Sequence, residues 1–231
     1  MILYASFAIL PHMQKLEGVL SNLEGTLINN HSLMIAAFQH TFDAHGMAQP
    51  RRREILETIG LPLASRFQVL SKKCSFANAD RLVATYLRFK RNHPELAEWY
   101  PDAKRSLEWM QEKGIPVSLV VTQSTVMTRN MIDHFGLAKM FHTVITRDDV
   151  RDQKPHPEGI HRALHSMDIP ARHAIMFGHT ASDIEAGNAA RCRASIAIAH
   201  ESVDTKLLRA RPTIIIRQNW KLVTIAKKIL K

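Results

Sequence analysis

Leu16-Glu17-Gly18-Val19-Leu20-Ser21-Asn22-Leu23-Glu24-Gly25-Thr26-Leu27 is the stretch of this 231-residue chain whose reading decides its fold. Leu16 to Leu20 is a short apolar run, and it predicts a buried strand at Gly18 to Leu20. Asn22 to Leu27 then reads as a strand-to-loop turn.

Five further runs read as buried strands: Ile115 to Val121, Thr143 to Thr146, Ala174 to Phe177, Ala194 to Ala199 and Thr213 to Ile216. Helical patterns alternate with most of them. Asp102 to Lys113 places Leu107 and Met110 on one face and stops at Gly114, and Ser124 to Phe135 stops at Gly136. Pro157 opens a helix through Met167, where its missing N–H is harmless. Strands alternating with helices of this length predict an α/β fold, a doubly wound and mostly parallel sheet.

Between Asn29 and Tyr100 there is no strand signal. Ser32 to Ala44, Arg51 to Thr58, Leu63 to Leu70 and Ala79 to Arg91 read as helices, the last with Leu82, Tyr86 and Phe89 on one face. The expected organisation is a core of residues 1–28 and 101–231 with a helical cap, 29–100, inserted after the first strand. Such a cap would lie over the C-terminal edge of the sheet, where ligands bind in this architecture.

A hydrophobic content of 45% suits a full core. Cys74 and Cys192 lie far apart without ligand spacing, so both are expected as buried thiols, with neither a disulfide nor a zinc site. Met1 to Leu10 is apolar but too short for a membrane span and lacks the basic opening of a signal peptide. It reads as an edge segment or tail, a surface anchor being the alternative, and the protein is expected in the cytoplasm. The formal charge of +10 favours anionic partners. The basic clusters Arg51-Arg52-Arg53, Lys72-Lys73, Arg88-Lys90-Arg91 and Lys227-Lys228 come without an aromatic platform and read as solvated surface, which argues against nucleic acid.

With these pieces placed, Leu16 to Leu222 resembles the haloacid dehalogenase-like hydrolases, in particular the phosphoglycolate phosphatase-like branch with a helical cap. The resemblance rests on Asn22 to Leu27, Gly60-Leu61-Pro62-Leu63, Tyr100-Pro101-Asp102-Ala103, Gly114-Ile115-Pro116-Val117 with Val121-Thr122-Gln123-Ser124, Lys154-Pro155-His156-Pro157-Glu158, and Phe177-Gly178-His179-Thr180-Ala181-Ser182-Asp183. It implies a catalytic site at Asn22 (the nucleophile position), Glu24 (the acid/base position), Thr122 and Lys154. Phosphate contacts are implied at Thr122, Gln123 and Lys154, and Mg²⁺ positions at Asn22, Glu24, His179 and Asp183.

The usual opening Asp-x-Asp-Gly-Thr-Leu has become Asn-x-Glu-Gly-Thr-Leu, and the leading acid of Gly-Asp-x-x-x-Asp has become His179. A carboxamide is a poor nucleophile, and imidazole suits Mg²⁺ poorly. The expectation is weak or absent Mg²⁺ binding, no cofactor, and a catalytically impaired homologue. It would be kept as a phosphate- or anion-binding module, with Lys154 left in a more electropositive pocket, or as a protein-interaction module. The rival is a working hydrolase using His179 as nucleophile, another metal, or a deamidated Asn22. Asp183 has capping-box spacing from Thr180, so helix capping competes with a metal role. Ser124 reads as a helix cap and Thr122 as the phosphate ligand. Of the thirteen histidines only His161 and His165 show i, i+4 spacing, with no zinc pattern following.

Overall fold

All six strands expected from the apolar runs are present in the computed structural model, whose described residues are 16–59, 61–71, 76–200, 203 and 205–229. Met1 to Leu10, Gly60, Lys72-Lys73 and Cys74 lie outside them. The strands are β1 (Gly18–Ser21), β2 (Ile28–Asn29), β3 (Glu98–Trp99), β4 (Val117–Val120), β5 (Val144–Ile145), β6 (Ala174–Gly178), β7 (Ala194–Ile198) and β8 (Ile214–Ile216). Six of them form one parallel sheet in the order β5-β4-β1-β6-β7-β8. The fold is therefore the expected α/β class, a doubly wound parallel sheet with an inserted helical unit.

Two compact units divide the chain: one runs up to Asn29 and resumes at Trp99, and the other runs from Asn30 to Glu98. The second holds α1 (His31–Ala44), α2 (Arg52–Glu57), α3 (Leu63–Ser71) and α4 (Phe76–Asn92). Its centre is aromatic, with Phe38 lying 4.9 Å from Phe67 and 4.8 Å from Tyr86 between ring centroids. Arg66 is buried over the Phe38 ring and donates to Thr58 Oγ1 and Ile55 O, so its guanidinium closes the end of α2. Lys90, read from sequence as surface charge, is buried; the long amphipathic α4 turns it inward on the same helix that exposes Arg88 and Arg91.

The sheet unit holds α5 (Ala103–Glu112), α6 (Thr125–His134), α7 (Glu158–Met167), α8 (Ala181–Ala189), α9 (Thr205–Arg209) and α10 (Trp220–Ile229). Leu107 and Met110 of α5 are buried as expected. Gly114 and Gly136 stop α5 and α6 in left-handed backbone, which favours glycine. Ile160, Ala163 and Leu164 of α7 pack with Leu20, Val120 and Met176, so the three central strands share one apolar layer.

Three details differ from the sequence reading. Two-residue strands β2 and β3 occur where none was signalled, too short for periodicity to reveal, and pair with each other. Pro157 is the N-cap residue of α7 rather than its first helical residue. Ser124 is the N-cap residue of α6 without a side-chain cap; Asp148 Oδ2 accepts from Thr125 N instead, at 2.8 Å. No described helix is long and apolar enough to cross a membrane.

α8 lies close on the sheet because Gly187 has no side chain: a Cβ there would meet Ser195 Oγ and Met176 Cβ. Overpacking of this kind costs about 1–3 kcal/mol. Gly187→Ala is expected to lower the unfolding free energy by that amount in urea titration, with an unchanged m value.

Candidate active site

β1 lies between β4 and β6, with Ser21 in register with Leu119 on one side and Phe177 on the other. The loops after these three strands therefore leave the same edge of the sheet at its switch point, the usual ligand position in open α/β sheets. Asn22 leaves the first loop, Thr122 and Gln123 the second, and His179 the third.

Lys154 and Asp183 form the buried ion pair of this edge. Lys154 Nζ donates to Asp183 Oδ1 at 2.5 Å and to Val120 O at 2.6 Å, with the two side chains 3% and 1% exposed. The other carboxylate oxygen accepts from His179 N at 3.1 Å, Thr180 N at 2.9 Å and Thr180 Oγ1 at 2.7 Å. Burial raises the Asp183 pKa. Lys154 above all, with the backbone N–H groups of His179 and Thr180, more than offsets this and holds it below the usual carboxylate range. Gly178 makes room, since a Cβ there would run into the Asp183 carboxylate. Asp183 is thus both the capping residue of α8 and the partner of Lys154. The sequence reading had set capping against a metal role and had not paired it with the lysine.

Asn22 sits in a second network. Its Nδ2 donates to Glu24 O at 3.0 Å and lies 3.2 Å from His179 Nδ1; Thr26 Oγ1 is also 3.2 Å from that nitrogen. A carbonyl only accepts, so the bond to Glu24 O fixes which end of the amide faces it. An N–H₂ group only donates, so His179 Nδ1 must be the acceptor and the ring proton sits on Nε2. Gly25, at φ +74°, lies under the ring, and a Cβ there would collide with His179 Nε2. The two networks approach each other where His179 Nδ1 lies 3.8 Å from Asp183 Oδ2.

Thr122 and Gln123 join neither network through their side chains. Thr122 is exposed two residues past Val120, and the Gln123 carbonyl accepts from Arg147 N. The backbone amides of Leu23, Thr122, Gln123 and Ser124 donate to no acceptor among the described residues. Successive N–H groups left free in this way can present partial positive charge to an anion.

Thr26, which ties His179 to the first loop, was not singled out from sequence. Its carbonyl also accepts from His200 Nε2, whose ring stacks on Tyr100 at 3.3 Å. The spacing of Thr26 within the quoted stretch was the available signal. Cys192 is a half-buried thiol pushed up to about 12 by burial, hence unreactive.

Among the described residues, Asp152, His156 and Glu158 bring ligating atoms within 4.8 Å of one another. Glu158 is already saturated there: Arg151 N and Asp152 N donate to Oε2, and Arg162 Nε and Nη2 donate to Oε1. A metal would have to displace those donors.

A parallel α/β sheet with a lysine–carboxylate pair and free amides at its switch point defines a Rossmann-like class. Within that class, the chain belongs to the haloacid dehalogenase-like hydrolase family, whose model matches residues 19–197. It is 31% identical to "Pyrophosphatase PpaX" of Oceanobacillus iheyensis, over 90% of this chain and 95% of that one. The same-named protein of Halalkalibacterium halodurans is 30% identical over 77% and 81%. Among solved structures, a predicted phosphoglycolate phosphatase from Haemophilus somnus superposes with a TM-score of 0.83 at 16% identity, covering 92% of this chain and 99% of that one. A haloacid dehalogenase-like hydrolase from Streptococcus pneumoniae gives 0.78 at 21%, covering 90% and 97%. These structural likenesses concern the fold.

Removing one partner from a buried ion pair costs about 3–5 kcal/mol. Lys154→Met is expected to lose that much stability in denaturant titration. Because the Asp183 pKa is lowered by folding from an ordinary 3.8, its contribution is full above about pH 4 and falls away as pH drops through the folded value. Wild type should therefore lose stability below about pH 4, and Lys154→Met/Asp183→Asn should show a flatter acid limb.

Proposed function

We propose that this haloacid dehalogenase-like protein binds a small phosphorylated or other anionic ligand at the Asn22–Lys154–His179 edge and is impaired in cleaving it. The observation that carries the reading is the Asn22 carboxamide, bonded to Glu24 O and to His179 Nδ1 where the resemblance assigns an attacking carboxylate. Its nitrogen lone pair is delocalised and its oxygen carries no full charge, so an acyl-phosphate step lacks an initiator. Glu24 keeps a carboxyl group for proton transfer, without a leaving group to serve.

The residues at the family's Mg²⁺ positions do not fit that ion. Mg²⁺ demands near-octahedral oxygen coordination. Here Asn22 and His179 are bonded to each other, Glu24 O is occupied by the amide, and Asp183 accepts from Lys154, His179 N and Thr180. Ligand binding therefore falls to the free amides of Leu23, Thr122, Gln123 and Ser124, the Thr122 hydroxyl, and the one Lys154 proton not directed at Val120 O or Asp183. The pocket is less electropositive than the sequence suggested, because Asp183 neutralises Lys154.

The rival, hydrolysis through His179, has less support. Nδ1 is taken up by Asn22 and Thr26, and Nε2 is protonated and packed on Gly25. Within the proposal, residues 29–100 act as a cap that selects the ligand, the protein works in the cytoplasm, and nucleic acid is not its partner. The pyrophosphatase name of the relatives makes pyrophosphate and simple phosphate esters the first ligands to try.

Purified protein is expected to give no turnover of p-nitrophenyl phosphate or pyrophosphate above background with Mg²⁺, Mn²⁺, Co²⁺ or Zn²⁺, while binding phosphate in calorimetry without metal. Turnover that disappears in Asn22→Ala would overturn the impaired reading, and absence of any phosphate affinity would overturn the binding one. Asn22→Asp/Glu24→Asp/His179→Asp is expected to gain a Mn²⁺ site that wild type lacks.

A further inference from the structure

Of the 31 lysines and arginines in the chain, eight lie in residues 205–231, a stretch without a single Asp or Glu, so these 27 residues carry +8 of the formal charge of +10. Their described part forms α9, β8 and α10, and β8 is an edge strand of the sheet. Arg211 and Arg217 bracket that strand, both exposed, about 20 Å apart along an extended chain. Lys206, Arg209, Arg211, Lys221 and Lys227 form no ion pair among the described residues.

Helix dipoles account for only part of this charge. Lys227 and Lys228 fall in the last turn of α10, where a cation is favoured, and Lys227 lies over the Trp109 ring. Lys221 stands in the first turn of the same helix, where the dipole opposes a cation and no acid offsets it. Arg211 and Arg217 belong to no helix. Charge also guards sheet edges against aggregation. Here the strand itself is Ile214-Ile215-Ile216, with charge only beyond its ends, so the edge selects among partners instead of refusing all of them. Antiparallel pairing of two copies centred on Ile214 would set Arg211 of each against Arg217 of the other, like against like. A strand with acidic ends meets no such penalty.

The backbone of this edge is also open. Ala199 N donates to Ile216 O, and Ile198 is in register with Ile216, so the backbone groups of Ile216 face β7. Alternation along the strand turns the N–H and C=O of Ile215 outward, where no strand of the described residues pairs with them. An outward N–H and C=O side by side are met together by another extended polypeptide. The phosphates of a nucleic acid or a lipid surface accept hydrogen bonds and leave the carbonyl without a donor.

We infer that the outer edge of β8 docks an extended acidic segment of a partner protein as one more strand, its carboxylates meeting Arg211 and Arg217 at the two ends. Backbone pairing supplies the register, and the arginines choose the charge of the partner. This inference does not rest on the reading of the Asn22 edge: β8 is three strands away from β1, about 14 Å across the sheet.

The probe is a fluorescein-labelled peptide of about eight residues alternating Val and Glu, long enough to span the strand, titrated with the full chain at low salt and read by fluorescence anisotropy. Wild type is expected to bind it and to slow hydrogen exchange at the Ile215 amide, while Arg209→Glu/Arg211→Glu loses about fivefold or more in affinity. Arg209→Gln/Arg211→Gln should fall between them and covers the case in which the charge reversal does not fold. The same peptide N-methylated at alternate residues keeps its charge without its backbone donors, and is expected not to bind; an oligothymidylate of equal charge is expected to bind more weakly than the peptide. No binding by wild type, binding unchanged by the charge reversal, equal binding of the N-methylated peptide, tighter binding of the oligothymidylate, or a wild-type dimer in sedimentation velocity that excludes the peptide would each overturn the inference.

Discussion

The ion pair between Lys154 and Asp183 is the constraint on which this edge of the molecule depends. It joins three segments distant in sequence: the loop before α7, the end of β4 through Val120 O, and the first turn of α8. Two charges this deeply buried are costly unless their remaining bonding capacity is met. Here Asp183 collects the N–H groups of His179 and Thr180 as well as the lysine, and each of those donors would otherwise be unpaired. The same carboxylate thereby orders the helix terminus, the His179 backbone and the lysine. Gly178 follows as a requirement, because any side chain there would occupy the carboxylate's place.

That economy also limits chemistry. A lysine that gives two of its three protons to protein acceptors has one left for a ligand, and its charge is matched locally. The remaining donors at the edge are backbone amides, which carry only partial charge but cost no side-chain entropy to aim. An anion bound there as proposed would be distinguished by the positions of its oxygens more than by its total charge.

Much of the fold was legible in the sequence because its evidence is local. Gly18 to Leu20 and Ala174 to Phe177 are apolar runs of strand length, and Gly114 and Gly136 end helices by a backbone conformation few other residues adopt without strain. The capping role of Asp183 was readable for the same reason, since Thr180 is three residues away. Its partnership with Lys154 was not, because the two are 29 positions apart and spacing carries no information at that range. The hydrogen bond from Asn22 to His179 spans 157 positions, and family resemblance could place both residues at one edge without saying that they bond each other. Ser124 and Asp148 teach the same point: the local hydroxyl was available, but a carboxylate from the segment after β5 took the amide. Lys90 went inward although its neighbours in sequence are charged, a choice made by packing within the helical unit.

The hydrogen bond between Asn22 and His179 couples these two positions physically. Suppose residue 22 alone were a carboxylate: it would put an anionic oxygen 3.0 Å from the Glu24 carbonyl, a contact with no proton to hold it. Suppose instead that residue 179 alone were an acid: it would stand near Asp183 and add a second carboxylate beside one that the lysine already balances. Either charge calls for a cation nearby, and the amide and the neutral imidazole together remove that need by donating and accepting between themselves. The loop of Asn22 and the loop of His179 are thus held together by a neutral hydrogen bond, where a metal-dependent arrangement would hold them through an ion.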